Sequence, residues 1–524
     1  MLKKLELKDS FIVITLFVSA FLINFYVGSR GVYPVDTFIH FDNGYRILFG
    51  EHPVKDYWIV HGFLIDYIQA IFFKFFGYNW SAYLIHASIF NSIIVIFTFY
   101  IFKMLEIKSY LALILLLGLS ILAYPVSGTP FLDLHSAFFS LFSIYFLIIA
   151  IIKNKNFYWF WAAFLLCAAF FSKQVPAAYV ILGVSLINVI LAFNKKNLMI
   201  TTWYFLGAFS FLILLLIFLL YKNIHLNDFI VQIFLFPQSI GTNRYGDYNL
   251  SLKNIILDYK FIYVFLFFIL SINILNFFKK KDFLKSKSFL ICVIIFTYST
   301  SLIIHQIYTK NQVFIFFLIP ILAGFSIYFL KDIDFKNKKI IILLLFLVFL
   351  FATFKYNNRF NVERKFHELS NVNINNSIKV NLFNNKFKEI NWISPYYKNP
   401  EDEIEKIKKF FNILLNDKQK KMVITEYNFF SLLLNEKLYS PSRTYDYISY
   451  PKKDTKYFKL YQEHLVELIK KNNIKHLYLF EPKKIIKSRM NHLVYDYISE
   501  SCFQVINISE KIKLLKIINC KELQ

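Results

Sequence analysis

The chain has only four cysteines, and no CxxC pair or His/Cys cluster sets any of them at zinc-ligand spacing. Ionisable residues are as scarce inside its long apolar runs. The middles of the candidate helices hold almost none: His86 and Asn91 are the nearest exceptions, and Pro320 is the only proline clearly in mid-run. An ion-coupled carrier lines its pathway with such groups, so their scarcity speaks against one. The His86–Asn91 pair reads as an interhelical hydrogen bond. No small-x-small cleavage site follows the first apolar run, Phe11 to Gly28, although Lys3, Lys4 and Lys8 precede it. It reads as an uncleaved first transmembrane helix rather than a signal peptide. Acidic residues are also few, 34 against 59 Lys and Arg, for a formal charge of +25. The lysines bunch in short runs between apolar segments, as in "KKKDFLKSK" (279–287) and "KDIDFKNKK" (331–339). That is the pattern of cytoplasmic membrane loops, and nucleic acid is set aside as a partner.

What is abundant is apolar surface. Hydrophobic residues make up 57% of the 524 and aromatics 20%, with 64 phenylalanines. A water-soluble fold of this length does not carry so much, and a bilayer is its natural solvent. Spans are expected at 11–28, 82–103, 109–124, 134–152, 157–172, 175–193, 201–221, 261–278, 288–304, 313–330 and 339–355, eleven in all. Segment 63–76, too short to span and carrying Asp66 and Lys74, reads as an interfacial helix within a first outer loop at 29–81. With the N-terminus inside, every loop expected in the cytoplasm is basic. The opposite loops, including a long one at 222–260 and "HQIYTKNQ", are poorer in positive charge.

Near residue 356 the composition changes. Residues 356–524 hold 19 of the 34 acidic residues. Segments 421–427 and 474–481 read as buried strands, and 401–416 and 456–471 as amphipathic helices. The expected architecture is therefore a polytopic α-helical membrane domain, 1–355, followed by a small extracytoplasmic α/β domain, 356–524. The end, "CFQVINISEKIKLLKIINC" (502–520), reads as a hairpin around a polar turn. An oxidising exterior would allow a Cys502–Cys520 disulfide across its ends; the alternative is two reduced thiols. Cys167 and Cys292 read as packing residues.

Polar groups gather at the outer ends of helices. The stretch from Gly31 to Gly62 and just beyond holds Asp36, Asp42, Glu51, Asp56 and Asp66, with His61 before the interfacial helix. Asp133 follows span 3, Lys173 and Gln174 separate spans 5 and 6, and Arg244 follows span 7. Carboxylates and cations meeting on one face suit an acid–base step with an anionic leaving group. Each residue also has a plainer reading. Asp36 and Asp133 are of the type that caps helices, Lys173 of the type that snorkels to headgroups, and Arg244 suits lipid phosphate or Asp247.

In order and spacing these motifs resemble the membrane glycosyltransferases of the C-type fold, the group of the protein O-mannosyltransferases and the lipid A aminoarabinose transferases. Asp36, Gly50, Asp56 and His61–Gly62 fall in the family's order after the first span, Asp133 matches the acid of its second outer loop, and "SKQ" (172–174) matches its element after the fifth span. The resemblance covers roughly residues 1–220. Phe63 stands where the family has proline, and Thr37 where mannosyltransferases have Glu.

The resemblance implies a sugar taken from a polyprenyl-phosphate carrier outside the cytoplasm and given to a hydroxyl on a glycan, lipid or protein. Asp36 would be the general base, with Asp42 as its rival. Asp133 would orient the acceptor or share the proton. Lys173, helped by His61 and Arg244, would bind the lipid phosphate, with Asp56 and Gln174 as secondary candidates. No metal or other cofactor is required, although a divalent ion bridging the acidic loops is left open. The expected place is a bacterial inner membrane, in cell-envelope glycan biosynthesis. A polysaccharide-intermediate flippase would explain the spans but not the Asp and Lys clustering. A glycan ligase or polymerase shares the lipid-linked donor.

Overall fold

The computed structural model describes residues 7–518 except 33, 195–196, 245–250, 280–282, 310–313, 332, 334–336, 381–383, 389, 447 and 482–488, and also residue 520. In chain order the helices are α1 (Leu7–Gly28), α2 (Pro34–Leu48), α3 (Leu64–Phe76), α4 (Trp80–Met104), α5 (Ser109–Leu122), α6 (Leu132–Lys153), α7 (Phe157–Ser172), α8 (Gln174–Asn194), α9 (Met199–Tyr221), α10 (Leu226–Ile230), α11 (Phe236–Arg244), α12 (Lys260–Lys279), α13 (Lys287–Thr309), α14 (Leu318–Leu330) and α15 (Lys338–Asn357). The remainder alternates β1 (Ile378–Val380), β2 (Ile390–Trp392), α16 (Pro400–Asn416), β3 (Lys421–Thr425), α17 (Phe430–Leu434), α18 (Phe458–Asn472), β4 (His476–Phe480), α19 (Arg489–Tyr495), β5 (Phe503–Ser509) and β6 (Ile512–Ile517).

All eleven expected spans are helical, with ends displaced by a few residues. Among the described residues nine helices are long and apolar enough to cross a bilayer, and Phe157–Ser172 and Ile315–Leu330 are shorter apolar ones. Pro320 is not in mid-helix. It lies in the first turn of α14, after a tight turn at Ile315–Phe317, where its missing N–H leaves no intrahelical bond unmade. The stretch 222–260 is not a loop throughout, since α10, α11 and wider turns at Val231–Leu235 and Lys253–Leu257 occupy much of it. His305 to Thr309, expected in a loop, continue α13.

The chain packs as two compact units. One is Met1–Ser29, Leu84–Leu216 and Tyr245–Ser370; the other is Arg30–Tyr83, Ile217–Arg244 and Asn371–Gln524. This differs from the single boundary near residue 355 read from composition: 30–83 and 217–244 group with the C-terminal part.

In the first unit, polar groups buried between helices are answered by backbone. Asn91 Nδ2 donates to the carbonyls of Ala20 (2.9 Å) and Ser120 (3.0 Å), and its Oδ1 accepts from the Tyr124 N–H at 3.2 Å. His86 meets His135, Nε2 to Nε2, at 3.0 Å. The two are thus spent on separate helix–helix ties. Gly28 and Gly128 let α1 and the turn after α5 touch: a Cβ on Gly128, whose φ is +78°, would lie 2.6 Å from the Gly28 Cα. Arg364 fixes that turn from the other side. It is 3% exposed, and it donates to the carbonyls of Pro125 (3.0 Å), Ser127 (2.9 Å) and Phe360 (3.0 Å).

In the second unit the helix α2 was not expected. Phe38, Phe41 and Tyr45 form its buried stripe. Phe38 packs 4.8 Å from Phe429 and 5.9 Å from Trp392, and Phe41 packs 5.3 Å from Tyr83. The helix α3 forms where the short amphipathic segment was expected, with Ile65, Gln69 and Phe73 buried. The four-stranded sheet has the order β3-β4-β6-β5, parallel between β3 and β4 and antiparallel elsewhere. Met422 and Ile424 alternate along β3, and Leu477 and Leu479 along β4. They turn one face toward Leu465 and Ile469 of α18. The β5–β6 hairpin forms as expected, and the Cys502–Cys520 disulfide ties its ends with the Cα atoms 4.9 Å apart.

Two outcomes follow. Arg364→Ala strands several buried carbonyls and is expected to cost about 2–4 kcal/mol. The readout is a lowered unfolding temperature in detergent; an unchanged temperature would show the carbonyls find other donors. Cys502→Ser with Cys520→Ser opens a loop of sequence separation 18 and is expected to cost about 3 kcal/mol. Wild-type protein should then lose stability in dithiothreitol while the double variant does not.

Candidate active site

The second unit carries the first candidate cluster. Pro34 opens α2 with its φ already suited to a helix. Asp36 sits in that first turn, half-buried, where the helix dipole favours a negative charge. His40 follows one turn later and is buried. Its Nδ1 lies 2.6 Å from Asp66 Oδ1, in the first turn of α3. Arg443 reaches the same carboxylate with Nη2 at 3.2 Å and donates through Nη1 to the Gly62 carbonyl at 3.0 Å. The expected His61–Gly62 element is thus pinned by a guanidinium from the distant C-terminal part, and His61 itself is half-buried. Burial lowers the proton affinity of His40 below that of an ordinary imidazole, against the opposing pull of Asp66.

The other acids of this stretch have structural partners. Ser431 Oγ donates to Asp42 Oδ1 at 2.9 Å. Burial pushes the Asp42 carboxyl up to about 6, with the Arg46 charge opposing. Glu51 accepts from Arg46 Nε at 3.0 Å; Arg46 also donates to the Ser440 carbonyl at 2.9 Å and lies 3.9 Å over the Tyr57 ring. Asp56 accepts from the His52 N–H at 2.8 Å and so shapes the turn before Tyr57. Arg244 ends α11, and its side chain lies outside the described residues.

The first unit carries the second cluster. Asp133, in the first turn of α6, accepts from Lys173 Nζ at 2.6 Å through Oδ2 and from His305 Nε2 at 2.9 Å through Oδ1. It does not cap its helix. Lys173 lies between α7 and α8, and its carbonyl accepts from Ser136 Oγ at 3.0 Å. Gln174 follows it as the first residue of α8, half-buried. The Lys173 ammonium is thus paired with Asp133, and each oxygen of Asp133 has a donor.

Sequence reading missed His40, Asp66 as a partner, Arg443 and His305. The i, i+4 spacing of Asp36 and His40 was available as a signal. Arg443 stands 377 residues from Asp66, so no local pattern could join them. Among the described residues no group of three or more His, Cys, Asp and Glu forms a metal cradle.

The neutral form of Asp42 suits its burial, which fixes the sign of a stability effect. With the folded carboxyl at about 6 against roughly 4 in an unfolded chain, the folded state binds more protons between those values. Stability therefore falls as pH rises from about 4 to about 6 and is level above that. Asp42→Asn keeps an acceptor for Ser431 and cannot ionise. Unfolding temperatures measured across this window should show wild type losing ground to the variant; parallel curves would remove the assignment.

A family model described as dolichyl-phosphate-mannose-protein mannosyltransferase matches residues 60–221, a stretch that holds His61, Asp133, Lys173 and Gln174. No curated protein matches the sequence. Among solved structures, ArnT from Cupriavidus metallidurans, bound to undecaprenyl phosphate, is similar at a TM-score of 0.55 and 10% identity, over 96% of this chain and 97% of that one. The resemblance to the C-type-fold membrane glycosyltransferases thus has both supports: the chain has the fold of ArnT, and its residues 60–221 match the mannosyltransferase family.

Proposed function

We propose that the chain is an integral-membrane glycosyltransferase that moves a sugar from a polyprenyl-phosphate donor to an acceptor hydroxyl, with Asp36 as general base. The observation that carries the reading is the place of Asp36 in the first turn of α2. Asp42, Glu51 and Asp66 are buried on structural partners, and Asp56 holds a turn. Asp36 stands half-exposed at the start of α2, in the position the family resemblance gives its base.

The acceptor oxygen attacks the anomeric carbon while Asp36 takes its proton. The bond between that carbon and the phosphate oxygen breaks, and the electron pair leaves with the lipid phosphate. The sugar passes through oxocarbenium character. Lys173 answers the growing phosphate charge. An ammonium carries three donors, and Asp133 engages one while fixing the side chain's direction. His61 and Arg244 are auxiliary phosphate contacts. The solved relative with undecaprenyl phosphate bound supports a polyprenyl donor. The acceptor class is a glycan, a lipid or a protein. The site and the C-terminal α/β part face outward from a bacterial inner membrane. The Cys502–Cys520 disulfide, which persists in oxidising compartments, and the basic loops assigned to the opposite side both support that orientation.

The test is transfer from radiolabelled polyprenyl-phosphate sugars by protein in lipid nanodiscs. Asp36→Asn should lower transfer by about 10²- to 10⁴-fold with donor binding kept. Lys173→Ala should weaken donor binding as well as transfer. Undiminished transfer by Asp36→Asn would remove the base. A bound glycan-lipid with no transfer by wild type would favour transport instead.

A further inference from the structure

The buried trio His40, Asp66 and Arg443 has no part in the transfer step as written, yet it shares the second unit with Asp36. Asp36 and His40 are one turn apart on α2, so they lie on one face of the helix. His40 Nδ1 stands 2.6 Å from Asp66 Oδ1 and 3.1 Å from Arg443 Nη2. A ring nitrogen that donates cannot also accept. The short contact to a carboxylate held by Arg443 assigns the proton to Nδ1, and Arg443 then serves Asp66 rather than the ring. That leaves Nε2 as the acceptor of the imidazole. A second observation is independent of the first. Among the described residues, Asp66 Oδ2 and Arg443 Nε are buried without a hydrogen-bond partner. A fold that needed only a static ion pair would lose stability by leaving both unmet. The arrangement suits a carboxylate that must answer a charge that comes and goes.

We propose that His40 is a positioning and proton-relay residue for Asp36. The inference rests on the reading of Asp36 as the base. The acceptor proton goes first to the Asp36 carboxylate as the new carbon–oxygen bond forms and the phosphate leaves with its electron pair. It then passes from Asp36 to His40 Nε2, which restores the carboxylate. The imidazolium is held between the charges of Asp36 and Asp66, with Arg443 fixing Asp66, until the proton is lost to water. No electron changes hands. Three charged groups act on the ring: Asp36 on its own helix, Asp66 on α3 and Arg443 from the C-terminal part. Burial keeps the imidazole neutral at rest and so ready to accept, while the two aspartates oppose burial and Arg443 adds to it.

The test compares kcat against pH for wild type, His40→Gln and Asp66→Asn, using the same radiolabelled donor. His40→Gln should lower kcat by about 10- to 100-fold with the donor KM changed by no more than about twofold. Its acid limb should move to lower pH, because protonating His40 no longer blocks the path. Asp66→Asn, which keeps the side-chain shape but removes the counter-charge, should lower kcat and move the limb in the same direction. It carries the test alone if His40→Gln fails to fold. A loss of activity with the limb at its wild-type position would overturn the relay and leave a packing role only. Asp36→Asn separates the two readings. If it is active, the base assignment fails; if it is inactive while His40→Gln keeps wild-type kcat, the relay alone fails.

Discussion

A carboxylate withdrawn from water must be answered within a few ångströms by a cation or by several donors. Asp9, Asp133 and Glu403 are met in these ways. Asp9 accepts from Ser109 at 2.9 Å and lies 3.0 Å from Lys103, joining α1 to the start of α5. Asp133 draws Lys173, between α7 and α8, and His305 of α13. Glu403, wholly buried, takes the Trp392 indole at 2.9 Å and the Tyr427 hydroxyl at 2.6 Å together with Ser394. Removing one member of such a set leaves the other buried and unpaired, so these contacts specify which helices and strands are neighbours as well as stabilising them. Asp42 obeys the same constraint by another route, through a raised proton affinity.

The acids differ in how they meet that constraint. Asp133 carries one donor on each oxygen, Lys173 on Oδ2 and His305 on Oδ1. Asp36 stands in the first turn of α2 and is half-exposed. For Lys173 the bond to Asp133 offsets part of the cation's charge. In return it holds the long side chain in one direction.

Much of the fold was legible because membrane spans and amphipathic helices announce themselves by composition and period. The apolar helices, nine of them long enough to span among the described residues, and β3, β4, α16, α18 and the terminal hairpin lie where hydropathy or alternation placed them. The helix α2 was hidden by its own chemistry. Asp36, His40, Asp42 and Asn43 interrupt the Phe38–Phe41–Tyr45 stripe, and a polar-rich segment after a span reads as a loop. The site was legible in part for a related reason. Acids and bases at helix ends can be seen in a sequence, but their partners cannot. Asp133 finds Lys173 across 40 residues and His305 across 172. His40 and Asp66 find Arg443 across still more. Compensation of charge is a three-dimensional requirement with no local spacing to betray it.

That same requirement changes how the polar C-terminal part is understood. Composition sets it off as a separate domain after residue 355. The hydrogen bonds of the second unit say otherwise. Arg443 holds Asp66 and the Gly62 carbonyl, Ser431 holds Asp42, and the Ser440 carbonyl receives Arg46. Trp58 pairs in strand fashion with Ser442 and packs edge-on to Tyr461 at 5.5 Å. Without residues 371–524, the segment bearing Asp36 would bury one arginine and two acids short of their partners, and its aromatic stripe would lose Trp392 and Phe429. The late part of the chain completes the hydrogen bonds and the core of the early segment, so the candidate base is placed by residues that a reading of the first third of the sequence never meets.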